Sequence, residues 1–191
     1  MFFLFIMAIQ SCGIGTYADG VSSNDIKRIA LFRPVTRVQH WHAKSEASED
    51  SLRRNHYSMI IDLFSNYLPV STVIEDTDVS SEANQLFSTI RKCDELNEIW
   101  FAPVPASLIL KLNNMGERYG LVISAVGTTR DGKYSIQFNE SSVQAAIIDA
   151  YQRKVVFYNC DFSNTSPINK KPVNAQVRRI VKGSSHWYRQ P

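Results

Sequence analysis

Two histidines at a spacing of two residues are the clearest candidates for metal chemistry in this chain. His40 and His42 flank Trp41 in a polar segment. In an extended segment, side chains two residues apart point to the same side, so both imidazoles could hold one ion. Zinc needs further ligands, and the nearby carboxylates that could supply one are Glu46, Glu49 and Asp50. The alternative, which we favour, is a pair of exposed loop histidines beside a packing Trp41, with no bound metal and no cofactor.

The sequence contains none of the contiguous motifs that mark common catalytic sites. It has no Gly-x-Ser-x-Gly elbow, no phosphate-binding loop ending in Lys-Ser/Thr, no His-Glu-x-x-His and no Cys-x-x-Cys. Cys160 and His186 could form a nucleophile and base, although only their residue types suggest it. Catalytic groups can also be assembled in space from distant positions. We nevertheless expect a protein that is not an enzyme, with a periplasmic hydrolase or metal-binding enzyme that uses the His40/His42 loop as the alternative.

The amino terminus has the features of an export signal. Residues 1–11 carry no charge, and Phe2 to Ile9 form an apolar run of eight residues, within the length range of a signal core and too short to span a bilayer. The sequence Ile9-Gln10-Ser11-Cys12 resembles the lipobox of bacterial lipoproteins, which implies that Cys12 becomes the lipidated first residue. A signal normally begins with Lys or Arg, and here none precedes the apolar run. Either the true start lies upstream of Met1 or the segment is not a signal; the alternatives to lipidation are a plain cleaved signal and a buried amino-terminal strand.

Three regions follow from this interpretation: a signal peptide at 1–11, a flexible tether at 12–25 and one α/β domain at 26–191. Cys93 and Cys160 then remain as the other cysteines. In an oxidising compartment they could form a disulfide, and two partly buried free thiols are the alternative that we favour.

The basic residues are concentrated at the carboxyl terminus. The net charge of the chain is +3, and no acidic residue follows Asp161. The residues after it include six basic ones, namely Lys170, Lys171, Arg178, Arg179, Lys182 and Arg189. Apolar residues recur at helical spacing from Val173 to Val181, which predicts a short helix with Arg178, Arg179 and Lys182 facing outward. These three residues are candidates for binding an anionic surface or partner, and a solvated helix face is the alternative.

Strands and helices alternate in the first half of the predicted structure, and antiparallel strands follow in the second half. We predict strands at 26–33, 70–74 and 98–104, and helices at 50–68, 79–93 and 105–115, with an irregular segment at 36–49. The second half is predicted as strands at 121–128, 134–139, 142–149 and 154–159, with an Asp-Gly hairpin at 130–133. The fold class is therefore α/β (α+β): a single mixed sheet with helices packed on it, in the order β-α-β-α-β-α, followed by antiparallel strands and a short carboxyl-terminal helix.

A core follows from the same periodicity. The predicted core residues are Ile29, Leu31, Ile60, Phe64, Phe87, Ile90, Trp100, Leu112, Val122, Ile147 and Val156.

Three features together resemble a family of envelope proteins. They are the first strand leading into a long helix, the block GLVISAVGTTRDGKYSIQFN, and the paired strands SVQAAIIDAYQRKVVFYN. This combination resembles the curli-secretion (CsgG-type) lipoproteins, the peptidoglycan-synthase activator lipoproteins and the amino-terminal domain of TolB. Ile147, Ile148 and Asp149 match the apolar-Asp strand of that pattern. The glycine that is usual in the following turn is replaced by Arg153-Lys154.

The resemblance implies a non-enzymatic role in assembly or regulation. We expect a lipid-anchored interaction module with its domain in the periplasm, at the outer membrane rather than the inner one. Its expected partners are the membrane, through the lipid, and an envelope protein or further copies of the chain, with no nucleic acid. A small-ligand or glycan-binding module remains an alternative, because Trp41, Trp187 and Tyr188 could provide stacking surfaces.

Overall fold

The strands form one mixed sheet of seven members in the computed structural model, which describes residues 16–18, 21, 26–41, 46–75, 79–94, 98–130 and 139–185. The strands are β1 (Thr16–Tyr17), β2 (Ile29–Phe32), β3 (Val35–Trp41), β4 (Val70–Ile74), β5 (Tyr119–Arg130), β6 (Glu140–Asp149) and β7 (Lys154–Ser163). Their order across the sheet is β1-β7-β6-β5-β2-β4, and β3 pairs with β5 beside β2. The pairs β2–β4, β2–β5 and β3–β5 are parallel, whereas β1–β7, β5–β6 and β6–β7 are antiparallel.

Four α-helices cover this sheet: α1 (Glu46–Ser65), α2 (Ser80–Asp94), α3 (Ala106–Asn114) and α4 (Lys170–Ser185). Each presents an apolar stripe at helical spacing to the strands. In α1 the buried positions include Ile60, Leu63 and Phe64. At the start of α4 the side chain of Asn169 accepts a hydrogen bond from the Lys171 N–H at 3.2 Å, which is an amino-terminal cap. None of the helices in the described ranges is both long and apolar enough to cross a bilayer.

The two faces of the sheet have separate cores. Residues of α1 and α4 pack on one face, where Phe64, Leu121, Ile147 and Val177 belong to one buried cluster. Residues of α2 and α3 pack on the other face, and that cluster includes Phe32, Phe87, Leu112, Val122 and Ile148. Neighbouring residues in a strand point to opposite faces, so Ile147 and Ile148 supply one residue to each core. A sheet covered on both faces accounts for the long apolar runs in its central strands.

Two turns are held by defined backbone interactions. After α3, Gly116 adopts a φ of +68°, and the Glu117 N–H bonds to the Leu112 carbonyl at 3.0 Å, which forms a Schellman cap. Between β6 and β7, the buried Asp149 accepts hydrogen bonds from the N–H groups of Tyr151 and Gln152 at 2.8 and 3.2 Å. Asp149 is also bound by Arg118 at 2.8 and 3.0 Å. Arg153 closes that turn with a φ of +54°.

The predicted fold class is confirmed, and so is the strand at 70–74. Ten of the eleven predicted core residues are buried, while Trp100 is only half-buried. The prediction of a strand at 98–104 is wrong, because residues Ile99–Phe101 form a 3-10 turn and only Pro103 makes an isolated bridge, to Lys154. Proline has no N–H for a ladder and follows this segment closely, so the apolar residues pack on α2 without joining the sheet. The predicted hairpin at 130–133 and strand at 134–139 lie largely outside the described residues.

The other error in the first half concerns residues 36–49. This segment was predicted to be irregular, but it contains all of β3 after Val35 and the first turn of α1. The first strand was predicted to end before Pro34, and β2 does end there, but Pro34 only separates it from β3. Both strands have β5 as a neighbour: Leu31 pairs with Leu121, and Val35 pairs with Ser124. Residues of β3 line the candidate functional site.

Candidate functional site

A basic cleft lies along the outer edge of β3. On the side away from β5, the last hydrogen bond to β4 is donated by the Arg33 N–H to the Ile74 carbonyl, at 3.1 Å. The β4 strand ends there, and β3 continues for its full seven residues. Among the described strands, β3 pairs only with β5. Its outer edge therefore borders an open cavity in place of a neighbouring strand.

The cavity has a volume of about 680 Å³ and three sides. Consecutive residues Val35 to Gln39 of β3 form its floor. Residues Arg53, Arg54 and Tyr57 of α1 form one wall, and Ser80 and Asn84 at the start of α2 form the other. This arrangement follows from the topology, because α2 begins just beyond the carboxyl end of β4 and α1 connects β3 to β4.

Four arginines give this cleft its charge: Arg33, Arg37, Arg53 and Arg54. The side chains of all four are exposed. None of the ion pairs among the described side chains involves any of them. The planar guanidinium group stays charged at all physiological pH values and binds carboxylates or phosphates with two parallel hydrogen bonds. The described residues that line the cleft therefore include four cationic donors and no carboxylate.

One carboxylate does lie at the rim of the cleft. The Arg33 guanidinium lies 5.6 Å from the ring centre of Tyr57, in a cation–π arrangement. Burial raises the pKa of Tyr57 above 10.0, and the charge of Glu75 and its hydrogen bond to the hydroxyl raise it further, against the opposing effect of Arg33. Tyr57 therefore stays protonated at neutral pH. The single charge of Glu75 still leaves the cleft with an excess of positive charge.

A second, shallower cavity continues from the cleft across the sheet. It has a volume of about 370 Å³ and shares Arg37 and Gln39 with the cleft. The strand register aligns Arg37, Val126, Ser142 and Phe162 in one row across β3, β5, β6 and β7. Val126 lies four residues along β5 from Val122, so this row is on the α2 and α3 face, past the buried cluster. Phe162 is 58% exposed there. The cleft and the second cavity together offer charge, polar groups and one exposed aromatic ring.

This set of groups is suited to binding. Guanidinium groups do not exchange protons near neutral pH, and the tyrosine hydroxyl has a raised pKa. The described lining residues supply hydrogen-bond donors and positive charge for an anionic ligand.

The predicted histidine pair is only partly described. His40 belongs to β3, where it pairs with Thr129, and its side chain is not among those described; His42 lies outside the described residues. No group of three or more possible metal ligands occurs within the described part of the chain. His56 is a core residue of α1 with 2% exposure, and burial lowers its pKa from 6.5 to about 4. Its Nδ1 atom has no hydrogen-bond partner.

The candidate residues for an anionic surface lie on α4. Arg178 and Arg179 are exposed, and the side chain of Lys182 is outside the described part. Arg179 binds Asp161 of β7 through two hydrogen bonds of 2.8 and 2.9 Å, which raise the pKa of Arg179. One of the three predicted cations is therefore already paired with a carboxylate. The contact was not foreseen because Asp161 precedes the tail in sequence.

Neither alternative for the cysteines holds in full. Cys93 is free and half-buried, whereas Cys160 is disulfide-bonded, so these two residues do not pair with each other. The proposed lipidation site, Cys12, lies outside the described residues, as do Trp187, Tyr188 and His186.

The arginine cleft itself was missed by the sequence analysis. The residues Val35-Thr36-Arg37-Val38 contain β-branched residues and a buried Val38 between exposed neighbours. That pattern is typical of a strand at the edge of a sheet. The grouping of Arg53 and Arg54 with Arg37 could not be read from spacing, because it depends on how α1 folds back over β3.

Three solved structures of bacterial proteins have a chain path similar to this one. A PelC dodecamer from Paraburkholderia phytofirmans is 10% identical, with a TM-score of 0.42, and the match covers 88% of this chain and 93% of that one. Lipoprotein GNA1162 from Neisseria meningitidis is 13% identical, with a TM-score of 0.38 and coverages of 83% and 96%. The LpoB carboxyl-terminal domain from Salmonella enterica is 14% identical, with a TM-score of 0.34 and coverages of 78% and 88%. No family model and no curated protein matches the sequence. At these TM-scores the resemblance carries no argument about function.

Proposed function

We propose that this protein is a lipid-anchored, non-enzymatic module of the bacterial envelope that binds an acidic partner in the arginine cleft. The observation that carries this proposal is the cluster of four exposed arginines around an open cavity of about 680 Å³, without ion-pair partners among the described residues. Clefts lined by charge of one sign concentrate ligands of the opposite sign and accelerate their association. The domain would be held in the periplasm by a lipid on Cys12, at the outer membrane.

The cleft can be tested with a fluorescent decapeptide of alternating Glu and Thr, followed by anisotropy. Replacing Arg37, Arg53 and Arg54 with Gln should weaken binding at least tenfold at 0.1 M salt. The control variant replaces Lys27, Arg91 and Lys92 with Gln, since these three exposed cations lie outside the cleft. It should bind within about twofold of wild type, because charges beyond the Debye length of about 10 Å at 0.1 M salt contribute little. Equal weakening by both variants would reduce the effect to net charge and overturn the proposal.

A second, weaker contact is proposed for the exposed basic face of α4. The apolar residues Val173, Val177 and Ile180 are buried, so replacing Arg178, Arg179 and Lys182 with Gln should leave the fold intact. Each basic residue close to an anionic membrane contributes on the order of 1 kcal/mol. We expect the triple variant to bind anionic liposomes less tightly than wild type at low salt and equally at high salt. Equal binding at all salt concentrations would make this face an ordinary solvated surface.

The lipid anchor needs its own experiment. If Cys12 is lipidated, Cys12→Ser should block processing and abolish acyl labelling, and intact-mass analysis of wild type should show an acylated chain. An unmodified Met1 in the mature protein would contradict lipidation and leave the cleft proposal standing.

A further inference from the structure

We propose that the acidic partner binds as an extended segment that adds a strand to the outer edge of β3. This inference rests on the proposed function of the cleft and specifies its mode. The occupant is a stretch of another protein with acidic residues at alternate positions, and the binding mode is backbone pairing combined with contacts to the arginines.

The outer edge of β3 has no partner among the described strands. In a strand, every second residue directs its N–H and C=O groups to one side, and the residues between direct theirs to the other. The groups of β3 on the β5 side are paired over Val35 to Trp41. On the opposite side the β4 ladder ends at the bond from Arg33 to Ile74, and the cavity begins. The backbone of β3 itself borders the cavity, because the residues that line its floor, Val35 to Gln39, are consecutive. These five residues span about 17 Å, room for a segment of equal length.

The arginines of the cleft flank that edge on both faces of the sheet. Side chains of an added strand would point alternately to the two faces of the sheet. On the α1 face they would meet Arg53 and Arg54. On the α2 face they would meet Arg37, which the register places on the same face as Val126. Acidic residues at alternate positions could therefore pair with guanidinium groups on one face while the backbone pairs with β3.

The positive charge of the cleft disfavours a second copy of this chain as the occupant. Two identical β3 edges paired about a twofold axis would bring Arg37 and its neighbouring arginines close to their own copies. Like charges on adjacent strands are destabilising. An acidic segment has the opposite effect, and the charge of the cleft therefore selects between the two occupants.

The experiment compares three peptides on the wild-type protein. The first is the alternating Glu-Thr decapeptide. The second has N-methyl groups on the Thr residues alone, and the third has them on every residue; both keep all carboxylates and remove backbone donors. We expect the fully methylated peptide to bind at least tenfold more weakly than the parent, because it cannot pair in either strand direction. Hydrogen exchange should show the amides of 35–39 protected by the parent peptide and unprotected with the methylated one.

Loss of affinity with Thr methylation alone would show that the Thr N–H groups face β3, and the strand direction then follows once the face occupied by the Glu side chains is known. Binding of the fully methylated peptide within twofold of the parent would overturn strand addition. If the Gln variant of Arg37, Arg53 and Arg54 still loses affinity in that case, the cleft binds acidic ligands through charge alone. If the parent peptide binds neither wild type nor variant measurably, both the inference and the proposed function fail. Self-association of wild type that protects the amides of 35–39 from hydrogen exchange without any peptide would favour a second copy and also overturn the inference.

Discussion

Asp149 is the carboxylate on which most interactions converge among the described residues. It is fully buried, and its oxygens accept hydrogen bonds from Arg118 and from two backbone N–H groups of the β6–β7 turn. The exposed Arg179 makes a similar two-point contact with Asp161 on the surface. These two pairs share their chemistry and differ in burial, so they separate the contribution of burial from that of geometry.

We predict that Asp149→Asn lowers the free energy of unfolding by about 2–4 kcal/mol, because it leaves buried donors without an acceptor. Asp161→Asn is the matched control, and it should cost less than about 1 kcal/mol since its partner is solvated. Urea denaturation of both variants provides the measurement. Equal costs would show that the turn does not depend on the Asp149 contacts.

His56 gives the protein a predictable sensitivity to acid. Its pKa is lowered from 6.5 to about 4 by burial, so the unfolded chain takes up a proton at a pH where the folded chain does not. Stability from this residue is complete above pH 6.5 and declines as the pH falls towards 4. Between pH 7.5 and 5 we expect a loss of about 2 kcal/mol. His56→Leu should remove that part of the pH dependence in urea titrations at the two pH values. An unchanged pH dependence would mean that His56 titrates normally in the folded state.

At the scale of elements, the β6–β7 turn contains a residue under backbone strain. Arg153 has a φ of +54°, which is unfavourable for residues with a Cβ atom. Arg153→Gly should raise the free energy of unfolding by about 0.5–1 kcal/mol, the gain from relieved strain being partly offset by the entropy of glycine. Gln152→Gly, one residue earlier in the same turn, should lower it by a similar amount. Destabilisation by both variants would show that the Arg153 side chain matters more than its φ.

The α1 helix supplies the sharpest test of the core. Phe64 is completely buried against the sheet, and Phe64→Ala should cost about 3–5 kcal/mol. Leu110→Ala in α3 is the control, because Leu110 is 60% exposed and its truncation should cost less than about 0.5 kcal/mol. Thermal unfolding followed by circular dichroism distinguishes the two. A small effect at Phe64 would contradict the packing of α1 described here.

The elements also show which parts of the fold were predictable from sequence. Periodicity identified α1, α2 and α3 because each packs one apolar stripe, as Ile60 and Phe64 illustrate. It failed at Trp100, where apolar residues fill a gap beside α2 without strand pairing. It also failed at β3, because residues 36–49 were predicted to be irregular, although a strand can resume directly after a proline. The candidate site was therefore not predicted either, since it depends on β3 and on distant pairings such as Arg37 with Val126.

At the scale of the whole molecule, the order of strand pairing differs from the order of the chain. Among the described strands, β3 pairs only with β5, and β1 pairs only with β7. Of the strands before Tyr119, only β2 and β4 pair with each other. Two short parallel strands are not stable by themselves. The amino-terminal half therefore lacks a sheet until β5 is available.

This pairing order has a consequence during translation. A nascent chain leaves the ribosome amino terminus first, so the described strands before Tyr119 cannot complete their sheet until Tyr119–Arg130 has emerged. Fragments that end before Tyr119 should be digested rapidly by protease, whereas a fragment extended to the end of α4 should resist it. The late central strand thus delays completion of the sheet until Tyr119–Arg130 has been synthesised.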